Sequence, residues 1–229
     1  MILILLRKGR NMKKLIVLAL LMVFIGTGAF AFEKAIGGGV LYNYSNSVAT
    51  MDFGYGVDMQ MIMSRNGFGG FAFFGLGRFV ELNLGFLYKN PNTLTMKIRL
   101  DKKTIDEDTL DLKGYGIDSV PALQFGAYFK YPFVISDRLV LFPTVGMDYE
   151  LTLKDDEGIW WDDLWLRGGA GFDIFFSSRA FLRLHAIYGI GVIVAGDDSL
   201  MGTGDSSFFG WDKAFSHGLL LKVGIGFMF

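Results

Sequence analysis

The chain has 229 residues, 22 Lys and Arg against 23 Asp and Glu, no cysteine, and unusual amounts of Gly (31) and Phe (23). A hydrophobic fraction of 52% is too high for a disordered tail, and a net charge of -1 without a basic stripe argues against nucleic acid as a partner. The missing cysteines leave no disulfide framework.

Arg7, Lys8, Arg10, Lys13 and Lys14 precede an apolar run over 15–25, which is followed by Gly26, Thr27, Gly28 and then Ala29-Phe30-Ala31. A basic region, a short apolar region and a small-x-small site predict a secretory signal peptide over 1–31, cleaved after Ala31, with Ala29 and Ala31 as the small residues of the site. The run is too short for a membrane helix, which needs about 20 residues. Met12 is an alternative start, because MKKLIVLALL is a complete signal by itself. With no cysteine after the cleavage site, a lipoprotein anchor is not expected.

The remaining 32–229 form one domain. Its apolar residues come interleaved with polar and small ones rather than in long runs, as a transmembrane β-barrel requires: lipid outside, polar or small groups inside, and every backbone group paired. Ile36, Val40, Tyr42 and Tyr44 make one outward row opposed by Gly37, Gly39 and Asn43. Gly37-Gly38-Gly39 lacks the GK[ST] and the helix of a phosphate loop, so it reads as strand packed closely against lumen side chains. Residues 68–76 are nearly all apolar or small and form a strand of undefined register.

In 79–89, Val80, Leu82, Leu84, Phe86 and Tyr88 oppose Glu81, Asn83, Gly85 and Lys89. Over 121–131, Leu123, Phe125, Ala127, Phe129 and Tyr131 oppose Gln124, Gly126, Tyr128 and Lys130. Over 139–153, Leu141, Val145, Met147, Tyr149 and Leu151 oppose Thr144, Gly146, Asp148, Glu150 and Thr152, with Pro143 outward as a candidate bulge. Over 164–176, Leu166, Ala170, Phe172, Ile174 and Phe176 oppose Arg167, Gly169, Gly171 and Asp173. Over 182–192, Leu182, Leu184, Ala186, Tyr188, Ile190 and Val192 oppose Arg183, His185, Gly189 and Gly191. In the last strand, 219–229, Leu219, Leu221, Val223, Ile225, Phe227 and Phe229 oppose Lys222, Gly224, Gly226 and Met228. Every charged residue in these segments falls on the face away from the apolar row, because side chains alternate with period two.

Connections alternate between short (77–78, 132–138, 177–180) and long (45–67, 90–120, 154–163, 195–217), the outer-membrane pattern of short periplasmic turns and long extracellular loops. The count is eight antiparallel strands in an all-β, up-and-down transmembrane barrel. Ten is the alternative, because Val57, Met59, Met61 and Met63, and Leu94, Met96, Ile98 and Leu100, also alternate with other residues. These segments are either hairpin extensions above the membrane or two further strands; Pro91, which interrupts the second run, favours eight.

The last strand resembles the carboxy-terminal sorting signal of outer-membrane barrels, with Lys222, Gly224, Phe227 and Phe229 at its polar, glycine and two aromatic positions. The resemblance implies outer-membrane lipid as the surroundings, and barrel-assembly machinery and periplasmic chaperones as partners in biogenesis. More broadly the domain resembles the small eight-stranded OmpW-like and OmpX/opacity-like families, through architecture and closing strand rather than an internal motif. The first resemblance implies a narrow channel for small solutes or hydrophobic molecules. The second implies a non-conducting structural or adhesin-like barrel whose loops meet an extracellular ligand or host surface. The charged inner face departs from a greasy OmpW-type lumen, and the Met-rich and Lys/Arg-rich segments favour projection from the surface.

On that inner face, Glu81, Lys130, Asp173 and Arg183 lie near the short turns, and Asp148, Glu150, Arg167 and Lys222 lie further up. Opposite signs on neighbouring strands predict Glu81 beside Lys130, Asp148 and Glu150 beside Arg167, and Asp173 beside Arg183: a paired lumen network that includes His185. His217, beside Ser216 and near Asp212, Asp197 and Asp198, supports the minor reading of an outer-leaflet enzyme. The main expectation is no enzyme and no cofactor. The acidic loop 155–163, with Asp197, Asp198 and Asp205, offers carboxylates to divalent cations but has no EF-hand spacing and reads as hydrated loop. Trp160, Trp161 and Trp165 with Tyr42, Tyr88 and Tyr149 are assigned to an upper aromatic girdle, and Phe79, Phe129, Tyr131, Phe181 and Phe229 to a lower one.

Overall fold

A computed structural model describes residues 34–112, 114, 119–153, 162–194 and 213–229. Ala29 and Ala31 of the expected cleavage site, Trp160 and Trp161 of the expected upper girdle, and Asp197, Asp198, Asp205 and Asp212 of the expected long loop lie outside them. Ten strands are present: β1 (Lys34–Gly54), β2 (Val57–Leu76), β3 (Val80–Leu100), β4 (Lys103–Asp111), β5 (Val120–Lys130), β6 (Phe133–Ser136), β7 (Leu139–Thr152), β8 (Asp162–Phe175), β9 (Ala180–Val194) and β10 (Lys213–Met228). Eight of them close a ring in the order β1-β2-β3-β5-β7-β8-β9-β10, every neighbouring pair antiparallel. The seam between β10 and β1 is finished by reciprocal backbone bonds, Lys34 N to Phe229 O at 3.1 Å and Phe229 N to Lys34 O at 2.9 Å. Closure leaves no open edge around the wall, as a lipid-facing sheet demands.

The other two strands are additions. β4 pairs only with the far half of β3, and β6 pairs only with the start of β7. The segments 57–63 and 94–100 are thus extensions of wall strands, and the ring has eight members. Crossing a membrane takes about 9–11 residues of tilted strand, whereas β1, β2 and β3 have 21, 20 and 21. Their surplus, with β4, is a sheet projecting beyond the wall. The stretch 45–67, expected as a long loop, is therefore a hairpin whose tip is only Tyr55 and Gly56. Gly54, Tyr55 and Gly56 all have positive φ (80°, 52° and 76°), and so do Asp101 and Lys102 (49° and 67°) at the β3–β4 tip. Two consecutive positive-φ residues match the twist of a tight hairpin turn.

Three expectations about proline and strand limits are corrected. Pro91 does not interrupt β3: it pairs with Arg65, Thr93 pairs with the adjacent Ser64, and Asn92 is the extra residue of a bulge. The bulge accommodates a residue that has no N–H to give the ladder. Pro143, by contrast, makes no bulge, since the β7–β8 register runs through it unshifted. Strand also reaches into 132–138, expected as turn, and into 213–217, expected as loop.

The outward face carries the apolar row. Leu84, Phe86, Val145, Met147, Leu166, Tyr188, Ile190 and Val223 are all exposed. At the short-turn end, Phe79, Phe129, Tyr131 and Phe133 form a run of rings with centroids 5.0–6.0 Å apart. Tyr42 packs on Phe68 at 4.9 Å on the outer wall towards the projecting end. Two girdle assignments are overturned: Trp165 and Phe181 are buried inside the barrel. Each shares the odd-numbered phase of Arg167 and Arg183, so alternation carries it inward, and a large ring is what a narrow lumen needs as filling.

Candidate functional site

The lumen is packed in layers. Nearest the short turns, Glu81 of β3, Lys130 of β5, Asp173 of β8 and Arg183 of β9 meet. Lys130 Nζ donates to Glu81 Oε2 at 2.9 Å, and Arg183 grips Asp173 with Nε to Oδ1 at 2.7 Å and Nη2 to Oδ2 at 2.6 Å. The remaining Arg183 nitrogen, Nη1, donates to Glu81 Oε2. The guanidinium also lies over the rings of Phe73, Phe181 and Phe142, at 4.4, 5.0 and 5.2 Å from their centroids. Apolar rings around a charge exclude water and strengthen the pairing inside.

Above this layer, Arg167 Nε sits 2.5 Å from Asp148 Oδ2, and its Nη2 donates to Glu150 Oε1 at 3.0 Å. The Tyr128 hydroxyl donates to Asp148, and Trp165 stacks 4.5 Å from the Arg167 guanidinium. A third layer lies nearer the projecting sheet. Lys89 Nζ is 3.0 Å from Glu150 and 3.6 Å from Asp163, Arg65 Nη2 is 3.6 Å from Asp163, and the same nitrogen donates to Ser47 at 2.6 Å.

Two of these contacts cross the whole lumen. β3 and β9 stand four places apart in a ring of eight, as do β2 and β8, so the Arg183–Glu81 and Arg65–Asp163 pairs join opposite walls. Pairing by adjacent strands, the only kind a linear reading supplies, misses both. Arg65 and Asp163 were also assigned to loops; their odd-numbered phase with Phe71 and with Arg167 was the available signal. Lys89 was on the inward face but outside the expected network.

Between these layers the interior also holds neutral polar side chains, such as Asn43, Asn83 and Gln124, and a large apolar part. Leu41, Phe71, Phe73, Leu87, Ala122, Tyr128, Phe181, Ile187 and Leu220 form one buried cluster. Charge and grease share the inner face, since residues such as Leu87 and Ile187 stand in the inward phase beside the charged ones. Inward glycines let the strands approach and the rings fit. A Cβ at Gly37 would run into the Phe73 ring, and one at Gly39 into the backbone of β10.

The other nominated residues fall as follows. His185 points into the lumen between Phe142 and Tyr128, its ring centroid 5.3 and 6.0 Å from theirs. Lys222 and Gly224 face inward, while Phe227 and Phe229 face outward and are exposed. Ser216 and His217 cannot act together. Ser216 is buried inside, bonded to Ser47 at 2.8 Å, whereas His217 Nδ1 meets the Tyr188 hydroxyl at 3.1 Å on the outer face. Adjacent strand residues point to opposite sides.

No family model matches the sequence, and no curated protein matches it. Among solved structures, the chain is similar to the N-terminal β-barrel domain of OprF from Pseudomonas aeruginosa, at 12% identity and a TM-score of 0.37, covering 84% of this chain and 99% of that one. It is also similar to the outer-membrane protease OmpT from Escherichia coli, at 9% identity and TM-score 0.43, covering 89% of this chain and 100% of that one. A third is the translocator domain of the autotransporter NalP from Neisseria meningitidis, at 12% identity and TM-score 0.28, covering 96% and 97%.

Proposed function

We propose that the chain is an integral outer-membrane barrel with a closed lumen, which serves as an anchor for the projecting β1–β4 sheet and presents that sheet to partners at the cell surface. The observation that carries the closed lumen is the pair of cross-lumen bridges, Arg183–Glu81 and Arg65–Asp163, set at two heights among large buried rings. An eight-stranded barrel is just wide enough for its side chains to fill it. A conducting path would need an open column of water and, for selectivity, an excess of one charge along it. The same bridges weigh against the narrow OmpW-like channel.

Across β2 and β3 the projecting sheet has two unlike faces. On one, Met59, Met61 and Met63 lie directly opposite Ile98, Met96 and Leu94, while β4 adds Asp106 and Asp108 opposite Ile98 and Met96 at its edge. On the other, Arg99 Nε donates to Asp58 at 2.5 Å and Lys97 pairs with Glu107 at 3.0 Å. The polar face keeps the sheet in water, and unbranched thioether side chains adapt to varied apolar shapes. An extracellular ligand or host surface with apolar patches suits that face.

Two measurements test this. The refolded chain in a planar bilayer is expected to be silent, with folding verified by heat-modifiable gel migration; discrete conductance steps from the wild-type barrel would restore the channel reading. Cells displaying the chain are expected to adhere to an alkyl-coated surface more than cells displaying Met59→Ser/Met61→Ser/Met96→Ser at equal surface level. Equal adhesion would remove the role of the methionine face.

A further inference from the structure

We infer that the lumen holds a small monovalent anion, of the halide class, between Lys222 of β10 and His185 of β9. Among the described residues, six buried cations (Arg65, Lys89, Lys130, Arg167, Arg183, Lys222) face five buried carboxylates (Glu81, Asp148, Glu150, Asp163, Asp173). Five of the six cations lie within 4.0 Å of a carboxylate. Among the described residues Lys222 has none, although it is only 1% exposed. Its hydrogen bond among the described residues goes to Asn83 Oδ1 at 3.2 Å, and its ammonium is 4.7 and 5.5 Å from the Tyr128 and Phe71 ring centroids. A buried charge that no carboxylate touches is costly, and the rings, with Asp148 and Glu81 acting only at longer range, compensate part of that cost.

The neighbouring group has the complementary need. His185 is the direct cross-strand partner of Lys222, is 5% exposed, and neither of its ring nitrogens has a hydrogen-bond partner. A neutral imidazole offers one N–H, and an ammonium offers three, of which Asn83 takes one. The imidazole N–H and two ammonium N–H groups thus stand on neighbouring strands with only the second imidazole nitrogen as acceptor, next to a surplus positive charge. Water would accept their hydrogen bonds and leave the charge; a monovalent anion answers both. The lumen selects a small one, because an eight-stranded ring is only wide enough for its own side chains to fill. The bound anion would complete the charge balance of the plug and tie β9 to β10 beside the seam.

The test uses the refolded chain in detergent, with gluconate replacing chloride at constant ionic strength. A ligand held only by the folded barrel raises its unfolding midpoint in a saturable way. Chloride is therefore expected to raise the thermal midpoint by several degrees over gluconate, and Lys222→Met to abolish that difference while still refolding. Crystals of the wild-type chain soaked in bromide are expected to show an anomalous peak beside Lys222 Nζ and His185, and this decides the matter even if Lys222→Met does not fold. Identical midpoints in the two salts, or bromide confined to the protein surface, would overturn the inference.

Discussion

Arg183→Leu is expected to lower the stability of the refolded barrel by about 3–5 kcal/mol, the cost of leaving buried charge without its partner. The change strands two carboxylates at once. Asp173 loses both bonds of a bidentate pair, and Glu81 keeps only Lys130 and the Asn83 amide. Leucine refills much of the volume among Phe73, Phe142 and Phe181, so the loss is electrostatic rather than a cavity effect. Urea unfolding followed by tryptophan fluorescence gives the difference, and a double variant with Asp173→Asn separates the terms. If the pair is the source, removing the second charge recovers part of the loss, and the two changes are non-additive. A single variant as stable as the parent would show that the bolt across the lumen carries no stability. The same variant breaks one of the two cross-lumen bridges, so conductance appearing in Arg183→Leu alone would locate the seal at that height.

A second substitution should act on closure itself. Gly39 faces inward on β1 at the seam with β10, where a Cβ would collide with the Val223 carbonyl oxygen and the Gly224 Cα. Those are backbone atoms and cannot rotate away. Gly39→Val is therefore expected to prevent the first and last strands from pairing, with refolding yield near zero and no compact band on unheated gels. Gly70→Ala is the control, since the nearest atom to a Cβ there lies at 3.5 Å, an ordinary contact. Normal refolding of Gly39→Val would mean that the seam is wider than described or formed by other residues.

Side-chain direction is legible in the linear sequence wherever a strand alternates cleanly, which 68–76 does not. Glu81, Lys130, Asp148, Arg167, Asp173, Arg183 and Lys222 stand inside, opposite a row of exposed apolar residues. Adjacent pairings followed from that alternation plus strand order, as with Lys130 and Glu81 at 2.9 Å. Where strand limits were drawn too short, function was lost with them. Arg65 and Asp163 read as loop in the sequence and fall outside the expected network; around Arg65, polar residues such as Ser45, Asn46 and Ser64 resemble loop once the strands leave the membrane. Trp165 and Phe181 were sent to the girdles by residue type, although their phase pointed inward. In an eight-stranded lumen the need for bulk outweighs the interfacial preference of aromatic rings.

The sequence by itself determined the period-two wall, favoured an eight-membered ring, and set the inward direction of the charges within the recognised strands, because each depends only on alternation along a strand and on turn positions. Only the tertiary structure decided what lies across from what. Contacts between β3 and β9, or between β2 and β8, exist because closure brings opposite walls within reach of an arginine side chain. The unpaired state of Lys222 beside His185 was decided the same way, because a charge is unbalanced only once every wall around it is in place.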